Sequence, residues 1–475
     1  MANDDHVALV RSGRWAGFRR DHPAITPDLS DADLSGLDLA GLDFARGDLA
    51  GTNLTGCDFS GARLDLVHFE RAKLAGARFP RASLEGARFD YLVLTGLVFD
   101  GAKLDRASFR ASDLAKASFA GASLGGASFE GADLSGAMLA GANLAGAQLR
   151  GSKLAGCDLS GVDLSDAALD GLRLPGARLG GSKLCRANLK DSDLRGADLT
   201  SADLSDANLR GASFALSRLV GANLSGAGAE GANFASAEVA EASFARTGLR
   251  RADFRKAVTT GANFAEADLQ EANLSGLDLR SARIAGARLA GASLAGTVLR
   301  GLVLDKLEAP EADFTGADLT EVSLQGANLR QARLSGANLR TASLRLADLG
   351  GALLIGTNLS GADLVRTRFE EADLSGADLR HAKGIGTDFR RARLAGADLR
   401  NADFSEAIWN GVNLSRANLR KSRIQGCWHW KIWLGIRKLL GAGGETKKRI
   451  EEGREAARLR RIAEKDASVP SRRRR

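Results

Sequence analysis

The chain is short of almost everything from which an active site is assembled. Its 475 residues include five His, four Cys, two Met and one Tyr. His6, His22, His68, His381 and His429 are scattered, and no pair has the spacing of metal ligands. There is no P-loop, dinucleotide fingerprint, nucleophile elbow or zinc motif. No cofactor or metal is expected, and the chain reads as no enzyme. Four widely spaced thiols fit a reducing compartment. The first residues lack the apolar core of a secretion signal, so a cytoplasmic location is expected. Six Pro are too few for a proline-rich linker, and the 57 Gly fall in register. Collagen-like and disordered classes are thereby excluded.

What the chain does have is a beat of five. It runs from Leu29 to Ile424 without insertion or deletion, and 72 of its 80 centres are Leu or Phe. A five-residue step turns an α-helix by roughly 140° and smears the centres around its axis. In a flat strand, an odd step throws successive centres onto opposite faces. Only a chain that bends the same way once per five residues keeps all of them inside, which is the mark of a solenoid. The residue two before each centre is mostly Ala, as at Ala32, Ala62, Ala132 and Ala402. It supplies a second, small inward site. Asp, Asn, Ser, Arg and Gly fill the outward and turn positions.

The units ADLSG at Ala132, ANLAG at Ala142, ADLTS at Ala197 and ANLRT at Ala337 resemble the A(D/N)LxX pattern of the pentapeptide-repeat family. The resemblance covers residues 27–426. It implies an all-β solenoid, a right-handed quadrilateral β-helix with four pentapeptides per coil. That would be about twenty coils, or a rod of ~95 Å at the usual spacing between strands. Some family members resemble duplex DNA and bind type II topoisomerases, and none of the consensus is catalytic. At this coil length Cys57 and Cys157 lie ~24 Å apart, too far for a disulfide.

Several features stand out from the repeat. Phe69, Phe89, Phe109 and Phe129 are expected to stack on one wall, with Phe59, Phe79, Phe99 and Phe119 opposite, giving a stiffer, wider N-terminal half. Small residues occupy centre sites at Ala229, Thr259, Ala309 and Gly384, and Trp409 is an oversized one. The stretches Leu304 to Pro310 and Lys383 to Gly386 are expected to form bulged corners. Either a neighbour fills each gap, or a corner protrudes toward a partner.

The net charge of +8 is concentrated at the C-terminal end, and the repeat body carries 47 basic against 48 acidic residues. A DNA mimic needs a mainly acidic surface, so this balance weakens that reading. One outward column, Arg280, Arg300, Thr320, Arg340, Ser360, Arg380, Arg400, Arg420, is an interaction-stripe candidate. The alternative is a solvated face neutralised by Asp278, Asp378 and Asp398. Direct nucleic-acid binding is not expected, since exposed aromatics do not interleave with the cations.

Four segments follow. Residues 1–26, with Val7, Val10, Trp15 and Phe18, read as a helical cap over the first coil, needed because β-helix ends expose unpaired edges. Residues 27–426 form the β-helix. Residues 427–444 hold Trp428, Trp430, Ile432, Trp433, Ile436, Leu439 and Leu440, an amphipathic segment that caps the last coil, pairs two subunits as a homodimer or lies on an anionic membrane surface. Residues 445–475 read as a charged helix and basic tail. The expected function is a non-catalytic scaffold that binds a macromolecule, with another protein as partner. The alternatives are a topoisomerase modulator and a membrane-peripheral scaffold.

Overall fold

One pentapeptide, Ala197 to Ser201, contains the rule from which the fold is built. The Ala197 N–H closes a turn on the Leu194 carbonyl at 3.1 Å. The Asp198 N–H donates back one coil to Ala177, while the Leu199 and Ser201 N–H groups donate forward to Arg218 and Val220. Only the Thr200 N–H lacks a backbone acceptor, and the Asp198 carboxylate takes it at 3.0 Å. All five donors are thus satisfied within the protein, four by backbone and one by the side chain two residues earlier. Each turn places its third residue at positive φ, 56° for Ser201, as a type II turn requires. Elsewhere this position is often Gly, yet Arg, Glu, Asp and Lys also occupy it.

In the computed structural model residues 3–426 are described, and the chain divides into two compact units, Met1–Ala287 and Arg288–Arg475. In each unit parallel bridges join residues 20 apart, from Asp28↔Asp48 to Asn263↔Arg283 in the first and from Arg288↔Glu308 to Asp403↔Arg423 in the second. Four pentapeptides therefore make one coil. Leu and Phe centres and their Ala partners fill the interior of each unit. Most polar residues at the small inner site are satisfied there, Ser152 Oγ being an exception. Thr52 Oγ1, Cys57 Sγ and Ser192 Oγ each donate to the centre carbonyl of the preceding coil, Leu29, Leu34 and Leu169, at 2.7–3.0 Å.

In the first unit the expected phenylalanine walls are present. Phe59, Phe79, Phe99 and Phe119 stack at 5.0–5.1 Å, and Phe69, Phe89, Phe109 and Phe129 at 4.5–5.1 Å. The two walls meet edge to face across the core, as Phe99 and Phe109 do at 5.9 Å. Aromatic packing is not confined to that end: on the other pair of walls Phe214, Phe234 and Phe254 form one stack and Phe244 and Phe264 another, the two meeting edge to face. In the second unit Trp409 continues a stack begun by Phe369 and Phe389.

The expected bulged corners are not bulged. Glu308 keeps its bridge to Asn328, and Lys383 bridges both Asp363 and Asp403. The gap at Gly384 is filled by its neighbour: a Cβ there would stand 2.3 Å from the Phe404 ring. Pro310 is also in place, because it falls on the one position whose N–H is absent from the backbone ladder. Pro80 and Pro175 occupy that same position, and the residues two before these three prolines are Arg78, Arg173 and Glu308, none of which is Asp or Asn.

The ladder does open elsewhere. Among the described residues of the first unit, three bridges are missing, Lys73 to Val93, Lys153 to Arg173 and Val258 to Asp278. In all three the small inner site of the downstream pentapeptide is Leu, at Leu92, Leu172 and Leu277. A branched side chain in a space shaped for Ala is overpacking, and here the strand moves instead. Leu97 and, in the second unit, Leu307 are exceptions, since Arg78 still bridges Val98 and Arg288 bridges Glu308.

The N-terminal cap consists of α1 (Asp4–Arg11) and α2 (Trp15–Asp21). It supplies donors that a preceding coil would have supplied. Asn3 N–H donates to the Asp28 carbonyl, an Arg11 guanidinium to Asp33, and Trp15 Nε1 and Arg19 Nε to Asp43. His6 Nδ1 in turn accepts the Asp28 N–H at 3.2 Å. Trp15 is fully buried and stacked on Phe44 at 5.5 Å.

Two outcomes follow. Phe99→Ala removes a ring held by two stacks and is expected to cost about 3–5 kcal/mol in denaturant unfolding. In hydrogen exchange, the Leu74 and Val93 amides at the first missing bridge should exchange at least roughly ten-fold faster than those of Leu94 and Asp113, which are paired.

Candidate interaction surface

The outward surface consists of columns whose members are one coil apart. The residue before each centre sits mid-wall, and where it is Asp or Asn its oxygen is committed to the N–H two residues on, as in Asp133 to Ser135 and Asn233 to Ala235. Six outward turn positions carry Asp instead: Asp65, Asp90, Asp100, Asp105, Asp170 and Asp305. Five of these accept a hydroxyl from a Ser 18 residues later, and Asp170 accepts the Asn188 amide. The same carboxylate also takes the backbone N–H one coil later, as Asp65 does from Glu85. The acceptor has moved to the neighbouring coil, but the same donor is satisfied.

The arginine column divides between the two units. In the first, Arg280 forms an ion pair with Asp278 at 2.7 Å. In the second, Arg380 and Arg400 grip Asp378 and Asp398 through Nε and Nη2 at 2.6–3.0 Å, and Arg300 reaches Glu321 at 3.6 Å. Arg340 and Arg420 donate their backbone N–H groups to Asn338 and Asn418, and their guanidinium groups make no ion pair among the described residues. Half of the stripe's arginines are therefore offset two residues away, an arrangement the spacing Asp-x-Arg already contains. The segment from Trp428 to Leu440 lies outside the described residues.

The thiols are structural. Burial pushes the Cys57 and Cys157 thiols up from their ordinary range, which makes them poor nucleophiles. Half-buried Cys185 donates to Ser165 Oγ at 3.0 Å. Among the described residues no cluster of His, Cys, Asp and Glu has the makings of a metal site. No described helix is long and apolar enough to cross a membrane.

The pentapeptide-repeat family model matches eleven stretches that run from residues 28–65 to residues 397–428. The chain belongs to the pentapeptide-repeat family. Its coils are accordingly those of a right-handed β-helix. Similar solved structures include HetL, a pentapeptide repeat protein involved in heterocyst differentiation regulation from the cyanobacterium Nostoc. It is 30% identical over 56% of this chain and 91% of its own, with a TM-score of 0.18. Rfr23 from the cyanobacterium Cyanothece is 26% identical over 29% and 91%, TM-score 0.17. QnrB1, a plasmid-mediated fluoroquinolone resistance protein, is 16% identical over 58% and 97%, TM-score 0.18. No curated protein matches the sequence.

The family's Asp has an electrostatic signature in this pentapeptide-repeat protein. The Ser60, Ser135 and Thr200 hydroxyls, then the N–H groups of the same residues, hold the carboxyls of Asp58, Asp133 and Asp198 below the usual carboxylate range. A carboxyl depressed in the folded state stabilises the fold above its unfolded pKa, and the contribution disappears as pH falls through the folded value. Stability should therefore be level from pH 7 to about pH 5 and decline below about pH 4. Asp58→Asn with Asp198→Asn keeps the acceptor oxygens but removes the titration. Circular dichroism should place the acid midpoint of this variant lower than that of the parent. An unchanged midpoint would contradict the assignment.

Proposed function

We propose that this protein is a non-catalytic scaffold that binds another protein on a rigid β-helical surface. The observation that carries the reading is the backbone accounting of the coils: turn and stacking bonds take four donors of a pentapeptide, and where Asp or Asn precedes the centre the fifth is taken as well, as at Ala197 to Ser201. It fixes the outward side chains in columns before any partner arrives, so docking orders little of the protein. The total of about twenty coils and the cytoplasmic location belong to the same proposal, as do the four-segment organisation and a contact, homodimeric or membrane-facing, made by Trp428 to Leu440. Arg340 and Arg420 are the stripe residues whose guanidinium groups are best placed to meet an acidic partner.

The topoisomerase reading is second. It calls for a continuous acidic wall, whereas the repeat body is close to neutral and its mid-wall carboxylates are frequently paired with Arg or Lys from an adjacent coil, as in Lys153–Asp133 and Arg178–Asp158.

Immobilised full-length protein should capture a specific protein, which after purification binds saturably to the folded chain and not to the heat-unfolded chain. A type II topoisomerase is the first purified candidate to try. Failure to bind any purified captured protein would refute the scaffold reading. So would a turnover abolished by one Asp→Asn change that leaves the fold intact.

A further inference from the structure

The first opened rung coincides with the least typical stretch of the surface. Tyr91-Leu92-Val93-Leu94-Thr95 stands where the consensus would place Gly, Ala and Asp at its first three positions. Tyr91, the chain's one tyrosine, is 79% exposed at a turn with φ 61°, and Val93 is 72% exposed at mid-wall. The turn beneath them is altered: Ser112 Oγ accepts the Leu92 N–H at 3.2 Å and donates to the Phe89 carbonyl.

One coil earlier, the same columns carry Arg71 and Lys73, and Arg78 bridges Val98 on the next wall, followed by Arg81. All four cations are exposed, and none makes an ion pair among the described residues. Glu70 adjoins Arg71 without forming an ion pair, and the aspartates on these walls are committed elsewhere. Asp90 accepts from Ser108 and Arg110 N–H, and Asp100 from Ser118 and Ala120 N–H, all on the following coil. Asp58 lies within electrostatic reach of Arg78, but its oxygen is bonded to Ser60. This band differs from the stripe, where each of several arginines has its own Asp two residues before it.

We propose that the cation row Arg71, Lys73, Arg78 and Arg81, with the adjoining Tyr91 and Val93, is a docking surface for an acidic polypeptide segment carrying a bulky apolar anchor. The inference rests on the protein-binding reading above and gives that reading a place and a partner chemistry. Tyr and Arg are the residues that most often dominate protein interfaces, and unpaired cations beside an apolar step complement carboxylates beside an apolar side chain. Glu70, Asp90 and Asp100 interrupt the same surface. They would repel a uniformly anionic lipid or nucleic-acid surface but leave room for a peptide with discrete charges.

The test is selection of a displayed random-peptide library on the full-length chain, with the selected peptides then measured against two variants. Tyr91→Gly/Val93→Asp and Arg71→Gly/Lys73→Asn install residues already present in those columns, as at Gly51, Gly131, Asp113 and Asn53. Both should therefore fold, which circular dichroism will verify. The expected result is enrichment of peptides rich in Asp and Glu with a large apolar residue, and at least ten-fold weaker binding by each variant. Equal binding to parent and variants would overturn the surface while leaving the scaffold reading in place. Enrichment of non-acidic peptides, or of none, would also overturn it. So would band-dependent binding to phosphatidylserine vesicles without peptide binding. Loss of the scaffold reading itself would be seen separately, in the failure of the full-length chain to bind any purified partner protein.

Discussion

One hydrogen bond per pentapeptide governs the rest: the side-chain oxygen that takes the N–H just after the leucine. The backbone can satisfy four of its five donors by turning and stacking, and the geometry of the stack leaves the fifth pointing along the outer wall. An Asp or Asn two residues back completes the set, which is why that residue recurs beside the leucine. Where it does not recur, two other answers are found, and elsewhere, as at Ala75 and Ala140, the N–H has no acceptor among the described residues. Proline removes the donor at Pro80, Pro175 and Pro310. An Asp one coil away supplies the acceptor at Asp65, Asp90, Asp100, Asp105 and Asp305. These replacements show that the constraint is satisfaction of a donor, and that the identity of the residue is secondary.

The second constraint is space. The inner site two before each centre tolerates Ala, Ser, Thr and Cys because each fits, and most of the polar ones find a carbonyl, Ser152 excepted. Leu at that site is associated with every missing bridge in the first unit. The proposed docking band contains one of these places, so an interior substitution and an unusual exterior occur in the same five residues. At the N-terminal edge, space and hydrogen bonding are solved together: Trp15 covers Phe44 while its indole N–H and the Arg19 guanidinium occupy the Asp43 carbonyl.

Much of this was readable from the chain alone, because an unbroken period of five fixes which side chains face inward. The opposed phenylalanine walls followed from that period plus the coil length that the family resemblance implies, and the aromatic cap from Trp15 and Phe18 ahead of an open edge. Other features were hidden for identifiable reasons. The Asp and Ser partnership spans 18 residues and becomes visible only when coils are laid side by side. At Ala309 and Gly384 the small centres left a filled gap and a bulged corner both open; the bridges there are kept, and at Gly384 Phe404 fills the space from the next coil. The arginine stripe was read as either an interaction surface or a face neutralised by Asp278, Asp378 and Asp398, and these three aspartates do pair with Arg280, Arg380 and Arg400. Its neutralising aspartates lie across it, within the same pentapeptide. The docking band was missed because Tyr91 and Arg71 are 20 residues apart and only the coil makes them neighbours.

The 20-residue register also sets what kinds of length change a gene of this type can accept. Duplicating or deleting one whole coil returns every later residue to the wall it had before, so the stack resumes and only its length differs. Adding a single pentapeptide preserves the inward and outward pattern, yet it rotates everything downstream by one wall. Placed between Phe89 and Phe99, it would shift the rest of each ring stack onto an adjacent wall and separate Arg78 from Val98. Such proteins should therefore grow and shrink across generations in steps of four repeats wherever aromatic walls or cross-coil pairs are present, and in steps of one only where all four walls are alike.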